Sequence, residues 1–267
     1  IPTHPELLDS LAVDFVESGW NVKRLHKMMV MSATFRQGST ITSEHLAKDS
    51  RNLLLARFPR MRMAAEVVRD NALAASGLLE RRIGGPSTYP YQPEGMWDGF
   101  SFYTYPAANA LPADQHHRRS MYSFIKRNAP HPAMASFDMT DRGVSTARRT
   151  SSNTPLQALV LLNDPQYVEA YRALAAHVMK ASVDPEAQIT TMFRLATRRH
   201  PLPAEARPMR AYLDAQVQRF TAEPEAASRL LKTGVTPADV SLDPVRLAAL
   251  TNLAAVIMNT PDAYTVR

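Results

Sequence analysis

Apolar positions recur at helical spacing along most of the chain and at strand spacing in one short stretch. Near the start, Leu7, Leu8, Leu11, Ala12, Phe15 and Val16 form a single stripe at the 3.6-residue period. Thr3, with Glu6 three residues later, reads as a capping box for this helix, and Gly19 as its left-handed stop. Asn21 caps a second stripe that turns Val22, Leu25, Met28 and Met29 inward. A third helix is predicted over residues 63–82. Val67, Val68, Ala75, Leu78 and Leu79 would face the core, and Glu66 and Arg69 would form an i, i+3 pair.

The helical pattern returns at residue 154. Its starts share a form, a capping residue followed by proline: Thr154-Pro155, Asp164-Pro165, Asp184-Pro185 and Asp243-Pro244. Proline is tolerated at the first helical position because the N–H it lacks would have no partner there. "LQALVLL" is apolar all round and predicts a helix buried on every side. Val168, Tyr171, Ala175 and Val178 line the next helix, and Ile189, Met192, Phe193 and Ala196 the one after. "LAALTNLAAVIMN" predicts a last buried helix.

Between these regions the periodicity fails. Residues 84–115 gather Gly, Pro and most of the aromatics, which reads as a long ordered loop. "RRSMYSFIKR" alternates Met121, Ser123 and Ile125 against Tyr122, Phe124 and Lys126, the best strand candidate in the chain. A second loop covers residues 128–153. The predicted fold is therefore mainly α: one helical domain over residues 1–267 with a small β element, two long ordered loops and a soft division near residue 154.

Composition changes this picture in three ways. Apolar residues make up 45% of the chain, enough for a real core. The net charge of +6, from 31 basic and 25 acidic side chains, favours anionic partners weakly. No run of five Lys or Arg occurs, and a nucleic-acid partner is not expected. The absence of cysteine excludes disulfides, Cys-ligated zinc, thiolate nucleophiles and covalent c-type haem within the chain. No stretch approaches the roughly 20 apolar residues of a membrane span. The opening "IPTHPELLDS" shows no initiator Met, basic segment or apolar segment, and is read as a linker in a longer polypeptide.

No G-x-S-x-G, phosphate-loop, dinucleotide or H-E-x-x-H signature is present. Adjacent His116 and His117 would point to opposite faces of a strand, so they are read as surface histidines and no metal site is expected. The remaining chemistry is basic. Arg118, Arg119, Lys126 and Arg127 flank the strand candidate, and Asp138, Asp141, Arg142, Arg148, Arg149 and Asn153 occupy the second loop. Two readings stay open. Converging, these residues would form a cationic, aromatic-lined cleft, whose side chains suit carboxylated or sulfated sugars or a nucleic-acid backbone. Alternatively, the arginines pair with Asp138, Asp141 and helix-end carbonyls and hold the loops in place. The first reading expects Arg148 or Arg149 to face a pocket containing Asp138, with Asp138 kept ionised.

Four blocks carry a family resemblance: "HPELLDSLAVDFVESGWNVKRLHKMMVMSATFRQ", "IGGPS" with "YPYQPEGMW", "RRSMYSFIKRNAPHPAMASFD" and "RRTSSNTPLQALVLLNDPQYVEA". In that order they resemble DUF1553, a bacterial family of unknown function found at the C-terminal end of large exported planctomycete-type proteins. The resemblance implies export, upstream domains of the same polypeptide as partners, and any haem on an upstream cytochrome c-like domain, with no cofactor in this chain. It places the family's polar blocks on Arg118, Arg119, Lys126, Arg127, Asp138, Arg148, Arg149, Asn153 and Thr154. "VSTARR" lacks the Cys often found before the paired arginines, and Ile125 stands where the family often has Trp. The resemblance names no function; the reading adopted is a module of a larger exported protein, linked to an upstream cytochrome c-like domain, that binds an extracellular anionic polysaccharide. The alternatives are a hydrolase or lyase acting on anionic glycans through an Arg/Asp cleft, and a non-enzymatic polyanion-binding or scaffold module.

Overall fold

A computed structural model describes residues 2–92, 106, 111–127 and 129–266. Most of the aromatic stretch within residues 84–115 lies outside the described residues. The chain forms two compact units, residues 1–61 with 265–267, and residues 62–264, so residue 154 lies inside the second.

The first unit holds α1 (Pro5–Glu17), α2 (Val22–Met31) and α3 (Ser43–Asp49). The helix α1 starts one residue later than the Thr3 cap implied: Pro5 occupies the first helical position, which makes His4 the N-cap, and His4 Nε2 meets Leu53 O at 2.8 Å. Asn21 caps α2 as expected, accepting from Arg24 N–H at 3.0 Å. The apolar stripes are helical, but their expected burial is not found. Leu7, Leu8, Val16, Met28 and Met29 are exposed, and Trp20 is 67% exposed while its ring packs edge-on to Phe15. Polar ties and a few ring contacts, Phe35 edge-on to buried Phe58 among them, order this unit. Arg24 pairs with Asp14 at 2.6 Å between α1 and α2. Arg57, buried, donates to Asp49 O at 3.0 Å and Ser50 O at 2.9 Å.

The second unit contains α4 (Ala65–Ser76), α5 (Ala113–His116), a 3₁₀ turn (Ser120–Tyr122), α6 (Pro132–Ser136), α7 (Pro155–Asn163) and α8 (Pro165–Ala181). It continues with α9 (Pro185–Thr197), α10 (Pro203–Ala222), α11 (Pro224–Leu231), α12 (Pro244–Met258) and α13 (Pro261–Tyr264). The helices α8 and α12 form the centre, with α4, α9, α10 and α11 packed around them. The stripes read from the sequence are buried here: Val168, Tyr171, Ala175 and Val178 on α8, Ile189, Met192, Phe193 and Ala196 on α9, and Leu247, Leu250, Leu253 and Ile257 on α12. All four proline starts are borne out. Prolines 132, 203, 224 and 261 begin further helices behind His131, Leu202, Glu223 and Thr260. Proline at the first helical position, with its φ already set for the helix, suffices even where no capping side chain precedes it.

Three expectations are corrected. Residues 118–127 do not form a strand. Ser120–Tyr122 is a 3₁₀ turn, and isolated bridges join Glu80 to Arg118 and Thr88 to Ser123. The described β element instead pairs β1 (Met61–Arg62) with β2 (Thr265–Val266). The helix α7 is not buried all round. Leu156, Leu159 and Leu162 are exposed, and the inward face carries Leu161 and Gln157, whose amide donates to Ser136 O at 2.9 Å and Ser152 Oγ at 3.0 Å. Glu66 and Arg69 do not pair, since Arg69 is drawn into the seam between α4 and α8.

That seam is polar. Arg69 Nε donates to Gln166 Oε1 at 2.8 Å, Nη1 to Arg118 O at 2.9 Å and Ser120 Oγ at 3.0 Å, and Nη2 to His116 O. The Gln166 amide then donates to His131 Nε2 at 2.8 Å, which requires a neutral imidazole. Burial, reinforced by the charge of Arg69, pushes His131 down to about 4. Asp164 caps α8 by accepting from Gln166 N–H at 2.9 Å. Its burial outweighs that bond and the field of Arg69, and pushes the carboxyl up to about 6.

These two groups give opposite pH slopes. The imidazole, ordinarily near 6.5, binds fewer protons folded than unfolded. Its contribution, on the order of 3 kcal/mol, is present above about pH 6.5 and lost as the pH falls to about 4. Asp164, ordinarily near 3.8, holds its proton more tightly when folded, so stability is lost as the pH rises to about 6. His131→Gln should therefore leave stability that falls from about pH 4 to 6, and Asp164→Asn stability that rises across the same range. Urea midpoints read both, and flat profiles in the two variants would refute the assignment.

Candidate functional site

The short helix α6 ends in a Schellman motif. Met139 N–H bonds Met134 O and Asp138 N–H bonds Ala135 O, both at 3.1 Å, with Asp138 at φ +61° where glycine is usual. An aspartate tolerates this left-handed position better than most residues. There its carboxylate meets the far end of the loop, accepting from Ser152 N–H at 2.8 Å and Ser152 Oγ at 2.9 Å. Arg62 closes the other side. It bonds Asp138 directly, donates to Phe137 O at 3.4 Å and lies 5.4 Å from the centroid of the Phe137 ring. Burial opposes ionisation of Asp138, but the Ser152 bonds and Arg62 outweigh it and hold the carboxyl below its ordinary value.

The result is a loop tied at its neck. Residues 141–151 between the ties are exposed. Arg149 reaches back to the first turn of α4, where Nη1 and Nη2 grip Glu66 at 2.6 and 3.0 Å. Desolvation works against Glu66, but Arg149 more than compensates and lowers its pKa. Asp141 is committed to the turn itself, accepting from Gly143 N–H at 2.9 Å beside Arg142 at φ +60°. Arg142 and Arg148 are exposed and make no salt bridge among the described residues, although the charge of Arg142 also helps to lower the Glu66 pKa.

The basic residues named from the sequence therefore fall into two places. Arg118 is fully buried and stacked 4.1 Å over the Tyr122 ring. It donates to Pro86 O at 3.0 Å, Arg82 O at 3.3 Å and Gly84 O, gripping residues 82–86 by their main chain. Arg119 and Lys126 are half-buried, while Arg127 and Asn153 are exposed. Asp138, Arg142, Arg148 and Arg149 share the tied loop. The guanidinium facing Asp138 is that of Arg62, so the expectation of Arg148 or Arg149 there is corrected, while the expectation of an ionised Asp138 stands. His116 and His117 are buried, not superficial: His116 Nδ1 meets Tyr89 O at 2.9 Å, and His117 lies 3.3 Å from Glu169. Sequence reasoning missed Arg62, which sits apart from the paired basic blocks, gave Arg69 a different partner, and passed over Ser152 although it lies inside the block that follows Arg148 and Arg149. Among the described residues no group of three His, Asp or Glu could hold a metal ion, and no helix is long and apolar enough to cross a membrane.

A family model described as PSD1, protein of unknown function (DUF1553), matches residues 1–213. The chain belongs to this family. The tied loop, the Arg118 cage and the α4–α8 seam all fall inside the PSD1 match, whereas α11 and α12 lie beyond it. Neither the curated proteins nor the solved structures compared with this PSD1 chain contain a match.

The two kinds of arginine predict different losses. Arg118→Lys replaces a planar fork by a point charge and strands buried carbonyls, which should cost about 3 kcal/mol. Hydrogen exchange in residues 82–86 should quicken in parallel. Arg149→Ala removes a half-exposed ion pair and should cost under about 1 kcal/mol in the same urea titration. Equal losses would contradict the division.

Proposed function

We propose that this chain is a non-catalytic module that binds an anionic extracellular polysaccharide through the tied loop, with Arg142 and Arg148 as its contacts. The carrying observation is that both guanidiniums stand exposed, without a salt bridge among the described residues, on a loop whose neck is fixed by Asp138, Ser152 and Arg62. Guanidinium forks match carboxylate or sulfate in two-point contact, and a fixed neck lowers the ordering cost of binding. A hydrolase or lyase built on Asp138 has less support, because that carboxylate is saturated by Ser152 and Arg62 and is held ionised, which unsuits it to act as a general acid. We assign no cofactor to this chain, which has no cysteine for covalent haem. The family resemblance supports export and partnership with upstream domains of the same polypeptide.

The test is titration of acidic and neutral oligosaccharides into wild type and an Arg142→Ala/Arg148→Ala double variant. Acidic ligands should bind with an affinity that falls with salt, and the folded double variant should lose about tenfold, each exposed contact contributing under about 1 kcal/mol. Arg149→Ala should lose less, since that side chain is already occupied by Glu66. Wild type indifferent to every acidic oligosaccharide would refute the reading.

A further inference from the structure

The segment joining α11 to α12, residues 232–243, lies outside the PSD1 match and is held from beneath by α8. Glu169 accepts from Val235 N–H at 3.1 Å and Thr236 N–H at 2.9 Å. One turn on, buried Arg172 donates to Leu231 O at 2.5 Å, Thr233 O at 2.6 Å and Thr236 O. Gly234, at φ +98°, passes so close to this carboxylate that a Cβ there would stand 2.5 Å from Glu169 Oε2. Farther along, Lys180 pairs with Asp239 at 2.5 Å, and Ser241 donates to the same carboxylate.

These polar ties fix the segment's path and keep it from collapsing onto the apolar faces of α11 and α12. A cavity of about 720 Å³ results, with Ala227, Leu231, Ala238, Leu242, Val245 and Leu247 among its walls. That volume lies in the range of small-molecule sites, which are mostly apolar with a few placed polar groups. The polar groups here are unequal. Asp239 is paired with Lys180 and accepts from Ser241, whereas Lys232 is exposed on the lining and makes no salt bridge among the described residues.

We propose that this cavity binds a small amphiphile with an apolar body and a single carboxylate, the body lying between α11 and α12 and the carboxylate meeting Lys232. This site is independent of the tied loop. Calorimetric titration of the full chain with decanoate, and with decanol as its uncharged match, tests it. Decanoate should bind with one-to-one stoichiometry. Ser228→Trp, which fills the cavity from the exposed side of α11, should weaken it about tenfold or more. Ala238→Trp on the opposite wall reads the same cavity should the first variant fail to fold. Lys232→Gln should weaken decanoate about threefold to fivefold and leave decanol unchanged. The proposal is overturned if folded wild type shows no saturable decanoate binding, if the tryptophan variants bind as wild type does, or if Lys232→Gln affects acid and alcohol alike. It is overturned equally if sedimentation shows a dimer that Ser228→Trp dissociates, for then a second copy covers the cavity.

Discussion

Irregular backbone near a protein interior must find donors for its carbonyl groups, and where main-chain N–H groups do not reach, this chain repeatedly uses buried arginine. Arg57 takes carbonyls of residues 49 and 50, Arg69 those of 116 and 118, Arg118 those of 82, 84 and 86, and Arg172 those of 231, 233 and 236. Each guanidinium offers five donors in a rigid plane, so one side chain can serve several carbonyls. Without these contacts the long connections would carry unpaired polar groups against the helices, at about 1–3 kcal/mol each.

Arg69 sits where several of these contacts meet. It joins α4 to the 116–120 segment and, through Gln166, to α8 and His131. Arg118 is both held and holding: its own carbonyl accepts from Arg69 while its guanidinium grips residues 82–86. The 82–86 and 116–120 segments are thus linked in series to the helical core. The tied loop follows the same logic, with Arg62 bridging Phe137 O and Asp138 and leaving Arg142 and Arg148 to solvent.

How far the sequence shows this depends on the kind of interaction. The buried faces of α8, α9 and α12 were legible because a packed helix repeats its apolar positions. Helix starts at Pro132, Pro203 and Pro224 were hidden because His, Leu and Glu precede them instead of capping residues. The alternation in "RRSMYSFIKR" imitated a strand because a 3₁₀ turn buries Ser120 while leaving Met121 69% exposed. In the first unit the period gave the helices but not their burial, since period reports a stripe and says nothing of what lies against it. The polar site was legible as a set of residue types but not as partnerships. An arginine that binds an anion and one that binds a main-chain carbonyl leave the same letter, and a carbonyl belongs to every residue.

That indifference has an evolutionary side. The Arg118 cage holds residues 82–86 through main-chain oxygens, so the side chains of that segment are not what is recognised. Substitutions there that keep the backbone path, as at Ile83 but not at glycines 84 and 85 with their positive φ, can alter outward chemistry without disturbing the hold. A scaffold gripped in this way separates the residues that fix shape from those that face the surroundings, and so leaves its surface free to drift toward new ligands while the framework stays in place.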